Sequence, residues 1–283
     1  MDSITIFNAY NRTKKQLEAA GIEDFGFEAR EIIRHITGFD NKKIMLNYNT
    51  PLTDIQQERL DEIVSVRVTR YPLQYILGTW SFYGLDFKVG KGVLIPRSDT
   101  EIAVDTALEL IKNKKEPKVL DLCAGSGAIG ISIAVNRPEA KVTMLEKYDD
   151  ALFYLKENII LNNADNANYL KGDVFGSGGS GTKYDLVISN PPYIKEEDMK
   201  TLQKEVKAEP TKALCGGQDG LDFYRAIVKN YKVSIKSGGR ICFEVGIKQA
   251  ESVKEILNEA GFSDIAVNKD LSGIDRVVFG TVN

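Results

Sequence analysis

The chain has 283 residues, with 37 Lys and Arg against 40 Asp and Glu for a formal net charge of −3, and 43% of its residues are apolar. That is globular composition, long enough for one large or two modest domains, and its near-neutral charge argues against a dedicated binder of duplex nucleic acid. No apolar run approaches the roughly 18 residues of a membrane helix, and Met1-Asp2-Ser3 lacks the basic-then-apolar form of a secretory leader. Three widely spaced cysteines and a single histidine fit a reducing cytoplasm and leave no Cys/His metal site or Ser-His-Asp triad. Chemistry is left to carboxylates, amides, hydroxyls and backbone.

Residues 1 to about 70 read as helical. Phe7, Ala9, Leu17 and Ile22 give a loose apolar spacing, and Phe27, Ile32, Ile33 and Ile36 a clearer one. Thr53 and Gln56 stand at the spacing of a capping box, opening a helix that presents Leu60, Ile63, Val64 and Val68 on one face. From Leu73 to Val93 an aromatic, glycine-punctuated alternation predicts a hairpin between two domains.

After Pro96 the pattern turns α/β. Strands are predicted over 118–122, 141–146, 184–189, 240–245, 265–268 and 276–280, with helices over 151–161 and 249–260 and an apolar helix after a glycine-rich turn. The alternation implies a mostly parallel, doubly wound sheet. Only Lys269 to Asp275 joins the last two strands, too short for a parallel crossover, so they pair antiparallel or are not neighbours. Gly176 to Gly181 has the glycine separation of a phosphate loop, but Thr182-Lys183 reverses the required order, so a surface loop is expected.

Gly125-Ser126-Gly127-Ala128-Ile129-Gly130 matches G-x-G-x-x-G between a strand and a helix. Glu146 closes the next strand, where a carboxylate can take both ribose hydroxyls of an adenosine ligand. Asp121, inside the strand end, can orient the turn or bind an ammonium, whereas a pyrophosphate gains little from a negative charge there. This and the antiparallel C-terminal pair favour S-adenosyl-L-methionine over a nicotinamide dinucleotide. Cys123 reads as a small packed turn residue.

The apolar strand 184–189 runs directly into Asn190-Pro191-Pro192-Tyr193. Paired prolines stiffen the loop and leave carbonyl acceptors, Asn190 adds an amide oxygen, and Tyr193 offers a flat face. Such a set suits a planar amino group whose delocalised lone pair attacks poorly. Holding both hydrogens with Asn190 Oδ1 and the Pro191 carbonyl would aim the lone pair at a sulfonium methyl without a strong base.

Taken with these motifs, Tyr71-Pro72-Leu73-Gln74-Tyr75-Ile76-Leu77-Gly78, Phe82-Tyr83-Gly84, Leu94 to Glu101, Gly216-Gly217-Gln218-Asp219-Gly220-Leu221 and Leu271 to Val277 make the chain resemble, over nearly its whole length, the PrmC (HemK) N(5)-glutamine methyltransferases. Asn-Pro-Pro-Tyr alone is shared with enzymes that modify adenine or guanine amino groups. The resemblance implies a Rossmann-like, seven-stranded class I methyltransferase domain with an antiparallel C-terminal strand pair, plus a small N-terminal helical domain. The expected division is a helical recognition domain over 1–75, a β-hairpin linker over 76–95 and the methyltransferase domain over 96–283.

The implied reaction moves a methyl group from S-adenosyl-L-methionine, leaving S-adenosyl-L-homocysteine, to the glutamine of the Gly-Gly-Gln motif in class 1 peptide chain release factors. No stable nucleic acid, membrane or metal is expected. Cofactor contacts fall on Asp121, Cys123, Ala124, Gly125, Ser126, Gly127, Glu146, Asp173, Val174 and Asn190, and substrate contacts on Asn190, Pro191, Pro192 and Tyr193. Asn190, Pro191 and Tyr193 carry the catalysis. Two departures stand out. Val174 replaces an aromatic present in many members, leaving Asp173 or Phe175 to serve, and Ser98 replaces the second proline of Ile-Pro-Arg-Pro. Arg97 and Glu101 line the site or pair with each other. Gln218, although it completes a Gly-Gly-Gln within the enzyme, is expected to be a turn residue. Competing readings are methylation of a ribosomal-protein glutamine or a nucleic-acid amino group, an NAD-linked oxidoreductase and a non-catalytic adaptor.

Overall fold

A computed structural model describes residues 4–176 and 181–283, so the centre of the glycine-rich stretch 176–181 lies outside the described residues. The chain forms two compact units, Met1–Gly78 with Gln203–Ala208, and Thr79–Leu202 with Glu209–Asn283.

The first unit is helical: α1 (Ile6–Ala19), α2 (Phe25–Thr37), α3 (Asn41–Leu46), α4 (Asp54–Arg67) and α5 (Leu73–Leu77), with one turn contributed by Lys204–Lys207. The capping box opens α4: the Gln56 N–H donates to Thr53 Oγ1 at 3.2 Å and the Thr53 N–H to Gln56 Oε1 at 3.0 Å. Ala9, Leu17, Ile32, Ile33, Leu60 and Ile63 are buried at its centre. Phe7 and Phe27, read as core positions, are instead 48% exposed. The residues predicted as the start of a hairpin, Leu73 to Leu77, form α5, whose end is set by Gly78 in the left-handed region. Their aromatic spacing serves a single helical turn that buries Leu73 and Tyr75.

The inner face of α4 also buries Arg67, at 3% exposure, one helical turn beyond Ile63 and Val64. Its guanidinium donates to Glu28 at 2.6 and 2.9 Å and to Glu205 at 3.1 Å, and Arg70 donates to Glu205 at 2.5 and 2.9 Å. The ionic cluster thereby fastens the Lys204–Lys207 turn within the helical unit.

The second unit begins with a hairpin of β1 (Thr79–Phe82) and β2 (Leu85–Lys88), followed by α6 (Glu101–Ile111), β3 (Lys118–Leu122), α7 (Ala128–Asn136), β4 (Lys141–Glu146), α8 (Asp149–Leu161), β5 (Ala167–Lys171) and β6 (Tyr184–Ser189). Beyond the first unit's turn, α9 (Lys204–Lys207), come α10 (Asp222–Tyr231), β7 (Ile235–Glu244), α11 (Ala250–Glu259), β8 (Phe262–Lys269) and β9 (Asp275–Val282). Strand order is β5-β4-β3-β6-β7-β9-β8. All neighbours are parallel except β9, which is antiparallel to both β7 and β8. The antiparallel ending is the one expected. β5 was not anticipated, because its residues are largely exposed and carry no apolar alternation. The order reverses at β3, with β4 on one side and β6 on the other, which opens a crevice at their C-terminal ends.

Candidate active site

Two chain turns leave the sheet at this crevice. After β3, Cys123 (φ 59°), Gly125 (φ 57°) and Gly127 (φ 82°) all take left-handed backbone, coiling the chain into the start of α7. For Cys123 that conformation is strained, and a strained non-glycine residue persists only where its surroundings fix it. Burial pushes the Cys123 thiol upward, with the Glu146 charge adding to the effect, so it is a packed neutral thiol and not a nucleophile.

Asp121 is buried, and its Oδ2 accepts the Gly130 N–H at 2.9 Å, so it does orient the turn. Gly130 is required by the same packing: a Cβ there would stand 2.5 Å from Met144 Cγ and 3.0 Å from Asp121 Oδ2. Burial raises the Asp121 carboxyl to about 8, aided by Glu146 and opposed by the Gly130 N–H. At the end of β4, Glu146 accepts from the N–H groups of Gly125 at 2.9 Å, Lys147 at 2.8 Å and Tyr148 at 2.9 Å. Its carboxylate is thus locked against the glycine turn, and the Gly125 N–H is taken.

These groups line a cavity of about 200 Å3. Of the residues singled out in the sequence, Asp121, Cys123, Ala124, Gly125, Ser126, Glu146, Asp173, Val174, Asn190 and Pro192 lie on its wall, whereas Gly127, Pro191 and Tyr193 do not. Val174 is 3% exposed, and the aromatic surface comes from Phe175 and Phe223, packed edge to face at 4.9 Å. Asp173 holds this corner, accepting the Phe175 N–H at 3.0 Å and pairing with Lys147 at 2.7 Å. Arg97 lines the cavity and pairs with the buried Glu209, which also accepts the Ile95 N–H at 3.0 Å. Glu101 accepts the Tyr83 N–H at 2.7 Å, so Arg97 and Glu101 do not pair with each other. Phe223, Tyr148, Thr100 and Lys212 are wall residues that the sequence reading did not select. They reach the site from α10, from loops and from the turn before α6, where no motif marks them.

The second turn is Asn190 to Tyr193, immediately after β6. Asn190 is half-buried, and its Nδ2 donates to Thr100 Oγ1 at 3.3 Å. The segment is braced by Gly216 to Gly220. Ile194 donates to the Leu214 carbonyl at 2.9 Å and accepts from Gly216 at 2.8 Å, while Gln249 Nε2 donates to the Tyr193 carbonyl at 2.9 Å. A Cβ on Gly216 would lie 2.7 Å from both the Pro192 carbonyl oxygen and Tyr193 Cα, so only glycine permits this approach. Gln218 is exposed in the turn that follows. Tyr193 packs its ring toward the sheet core; burial raises its hydroxyl to about 12, with Glu244 adding, and keeps it neutral.

With this geometry in place, the chain can be set beside known proteins. Residues 8–78 match the PrmC N-terminal domain and residues 86–259 the methyltransferase small domain. The chain is 40% identical over 265 residues to the release factor glutamine methyltransferase of Clostridium botulinum, covering 93% of this chain and 94% of that protein. It is 42% identical over 256 residues to that of Thermodesulfovibrio yellowstonii, covering 89% and 90%, and 38% identical over 279 residues to that of Geobacter sulfurreducens, covering 98% and 97%. Among solved structures, the hMettl16 catalytic domain in complex with MAT2A 3'UTR hairpin 6 superposes with a TM-score of 0.59 at 15% identity, over 82% of this chain and 83% of that one. A methyltransferase from Pyrococcus furiosus gives 0.51 at 17% identity, over 81% and 98%. These structures share the fold, and the relatives share sequence along almost the entire chain. The chain belongs to the release factor glutamine methyltransferase family.

Proposed function

We propose that this protein methylates the side-chain amide nitrogen of the glutamine in the Gly-Gly-Gln motif of class 1 peptide chain release factors, using S-adenosyl-L-methionine and releasing S-adenosyl-L-homocysteine. The observation that carries the reading is Asn190, placed by β6 on the wall of the same cavity as Glu146 and the glycine turn. Relatives bearing that activity in their names, similar along nearly the full length, support the substrate. A cytoplasmic setting suits the three free cysteines.

The residues present fit the cofactor. Glu146, fixed by its three N–H partners, can take a ribose diol. Phe175, Phe223 and Val174 offer an apolar slot for a flat base, and the Asp121 carboxyl faces the cavity where an ammonium would gain from it. When bound, the cofactor supplies a methyl group on a sulfonium sulfur. Asn190 Oδ1 and the Pro191 carbonyl accept the two amide hydrogens of the substrate, orient its nitrogen lone pair and stabilise the positive charge that grows on nitrogen, whose surplus proton is then lost to solvent. Neutral Tyr193 takes no proton; its ring packs toward the sheet core and its carbonyl, held by Gln249, fixes the loop that carries Asn190.

The direct test incubates methyl-labelled cofactor separately with release factor, with ribosomes and with DNA. Label is expected on the release factor alone, lost when its motif glutamine is replaced; label on ribosomes or DNA instead overturns the reading. Glu146→Ala should weaken cofactor binding about 100-fold in calorimetry, and undiminished affinity would show that this carboxylate does not hold the cofactor. Gly216→Ala should displace the Asn190 loop and lower kcat about 100-fold, with cofactor binding preserved. Equal loss of binding and turnover would place the effect in the fold instead.

A further inference from the structure

Behind Asn190 stands a carboxylate to which the scheme above gives no role. The β6–β7 pairing sets Ser189 against Phe243, which brings the next residues, Asn190 and Glu244, level at the sheet edge. Glu244 is 3% exposed, and its Oε2 has no hydrogen-bond partner among the described residues. An orphaned carboxylate oxygen at that depth is costly unless it has a use. Thr100, itself 4% exposed, accepts from Asn190 Nδ2 at 3.3 Å, which leaves its hydroxyl hydrogen to give. Thr100 and Asn190 are both neighbours that favour the Glu244 anion.

The other groups facing Glu244 do not satisfy it. Arg276 is already held by Asp99 at 2.7 Å and Asp270 at 2.8 Å. The Tyr224 hydroxyl donates to the backbone carbonyl of Glu244 at 3.0 Å. Asp99, Tyr193, Tyr224 and Cys242 add only neutral or negative neighbours.

We propose that Glu244 is a positioning residue for methyl transfer: together with Thr100 it receives the Nδ2 side of Asn190 and so keeps Asn190 Oδ1 turned toward the substrate amide. The inference rests on the reading of Asn190 as the amide acceptor and deepens it. The two flips of an asparagine amide have one shape and opposite polarity. With Nδ2 inward, a donor meets a hydroxyl and a carboxylate that has a spare oxygen. With Oδ1 inward, an acceptor meets a buried anion, and the NH2 group is left facing the hydrogens of the substrate. Only the ionised carboxylate enforces the choice, since a protonated one can donate to Oδ1 and stabilise the wrong flip. Burial raises the Glu244 carboxyl to about 7, so orientation weakens as the pH falls through that value.

The test is a pH profile of kcat/KM for the release factor at saturating cofactor, which keeps titration of Asp121 out of the measurement. The wild type should lose activity in a one-proton limb below about pH 7. Glu244→Gln should lower kcat about 100-fold, leave cofactor affinity in place and abolish that limb. Thr100→Val should lower kcat likewise, with Thr100→Ser recovering most of the loss, and this pair carries the test if Glu244→Gln does not fold. A Glu244→Gln enzyme with wild-type kcat, or with the acid limb intact, overturns the proposal, as does a Thr100→Val enzyme with wild-type kcat. If Asn190→Ala keeps its turnover, the acceptor reading falls. If Asn190→Ala is inactive while the Glu244 and Thr100 variants match the wild type, only this inference fails.

Discussion

Asn190→Ala is expected to lower kcat roughly 100- to 1,000-fold, the range seen when one preorganised hydrogen-bonding group is taken from a transition state. The substitution removes an acceptor for an amide hydrogen that becomes more acidic as positive charge builds on nitrogen, so the loss concentrates in kcat. Glu146 and the glycine turn are held by their own backbone bonds, and cofactor affinity should therefore change little. Stopped-assay kinetics and calorimetry on one preparation separate the two quantities. Undiminished kcat would remove Asn190 from the chemistry.

The second large effect concerns stability. Arg67→Ala leaves Glu28 and Glu205, with side chains 14% and 19% exposed, facing a site built for a cation. Glu205 keeps Arg70, so the penalty falls mainly on Glu28, which loses its guanidinium; removing one partner of a buried pair costs about 3–5 kcal/mol. Denaturant unfolding of the whole chain should show this as an earlier transition with secondary-structure loss from the helical unit. Arg67→Met with Glu28→Leu should recover part of the loss, since apolar replacements of a buried pair are often tolerated. A transition unmoved by Arg67→Ala would mean that the cluster does not hold the unit. The pH dependence has a definite sign. Burial works against ionisation of Glu205, but Arg70 and Arg67 outweigh it and hold its pKa below the ordinary carboxylate value. Its contribution is therefore fully present above that ordinary value and is lost as the pH falls through the depressed one.

Much of the sheet and of the site's two turns was legible because local rules govern them. A strand entering a glycine-rich turn, and a strand entering Asn-Pro-Pro-Tyr, state their own geometry. The short link from Lys269 to Asp275 likewise forces the antiparallel pair seen as β8 and β9. What escaped depends on distance along the chain. Thr100 meets Asn190 across 90 residues, and Phe223 meets Phe175 only because α10 returns over the sheet. Glu146, closing the next strand, takes the N–H of Gly125 across 21 residues. Arg67 sits at a core position of α4, where periodicity expects an apolar residue, and only its remote carboxylate partners explain it. Leu73 to Leu77 misled for a different reason: five residues are too few for alternation and helical spacing to be told apart.

The cluster that joins Arg67 and Arg70 to Glu205 also imposes an order on biosynthesis. Arg70 and Glu205 are 135 positions apart, so the helical unit emerges from the ribosome long before its last turn exists. At about 5–20 residues per second the gap is on the order of ten seconds. Through that interval Arg67 has Glu28 but not Glu205, and Arg70 lacks its carboxylate partner. The Glu205 contacts of the N-terminal unit thereby form only after β6 and the Asn190 loop have been translated.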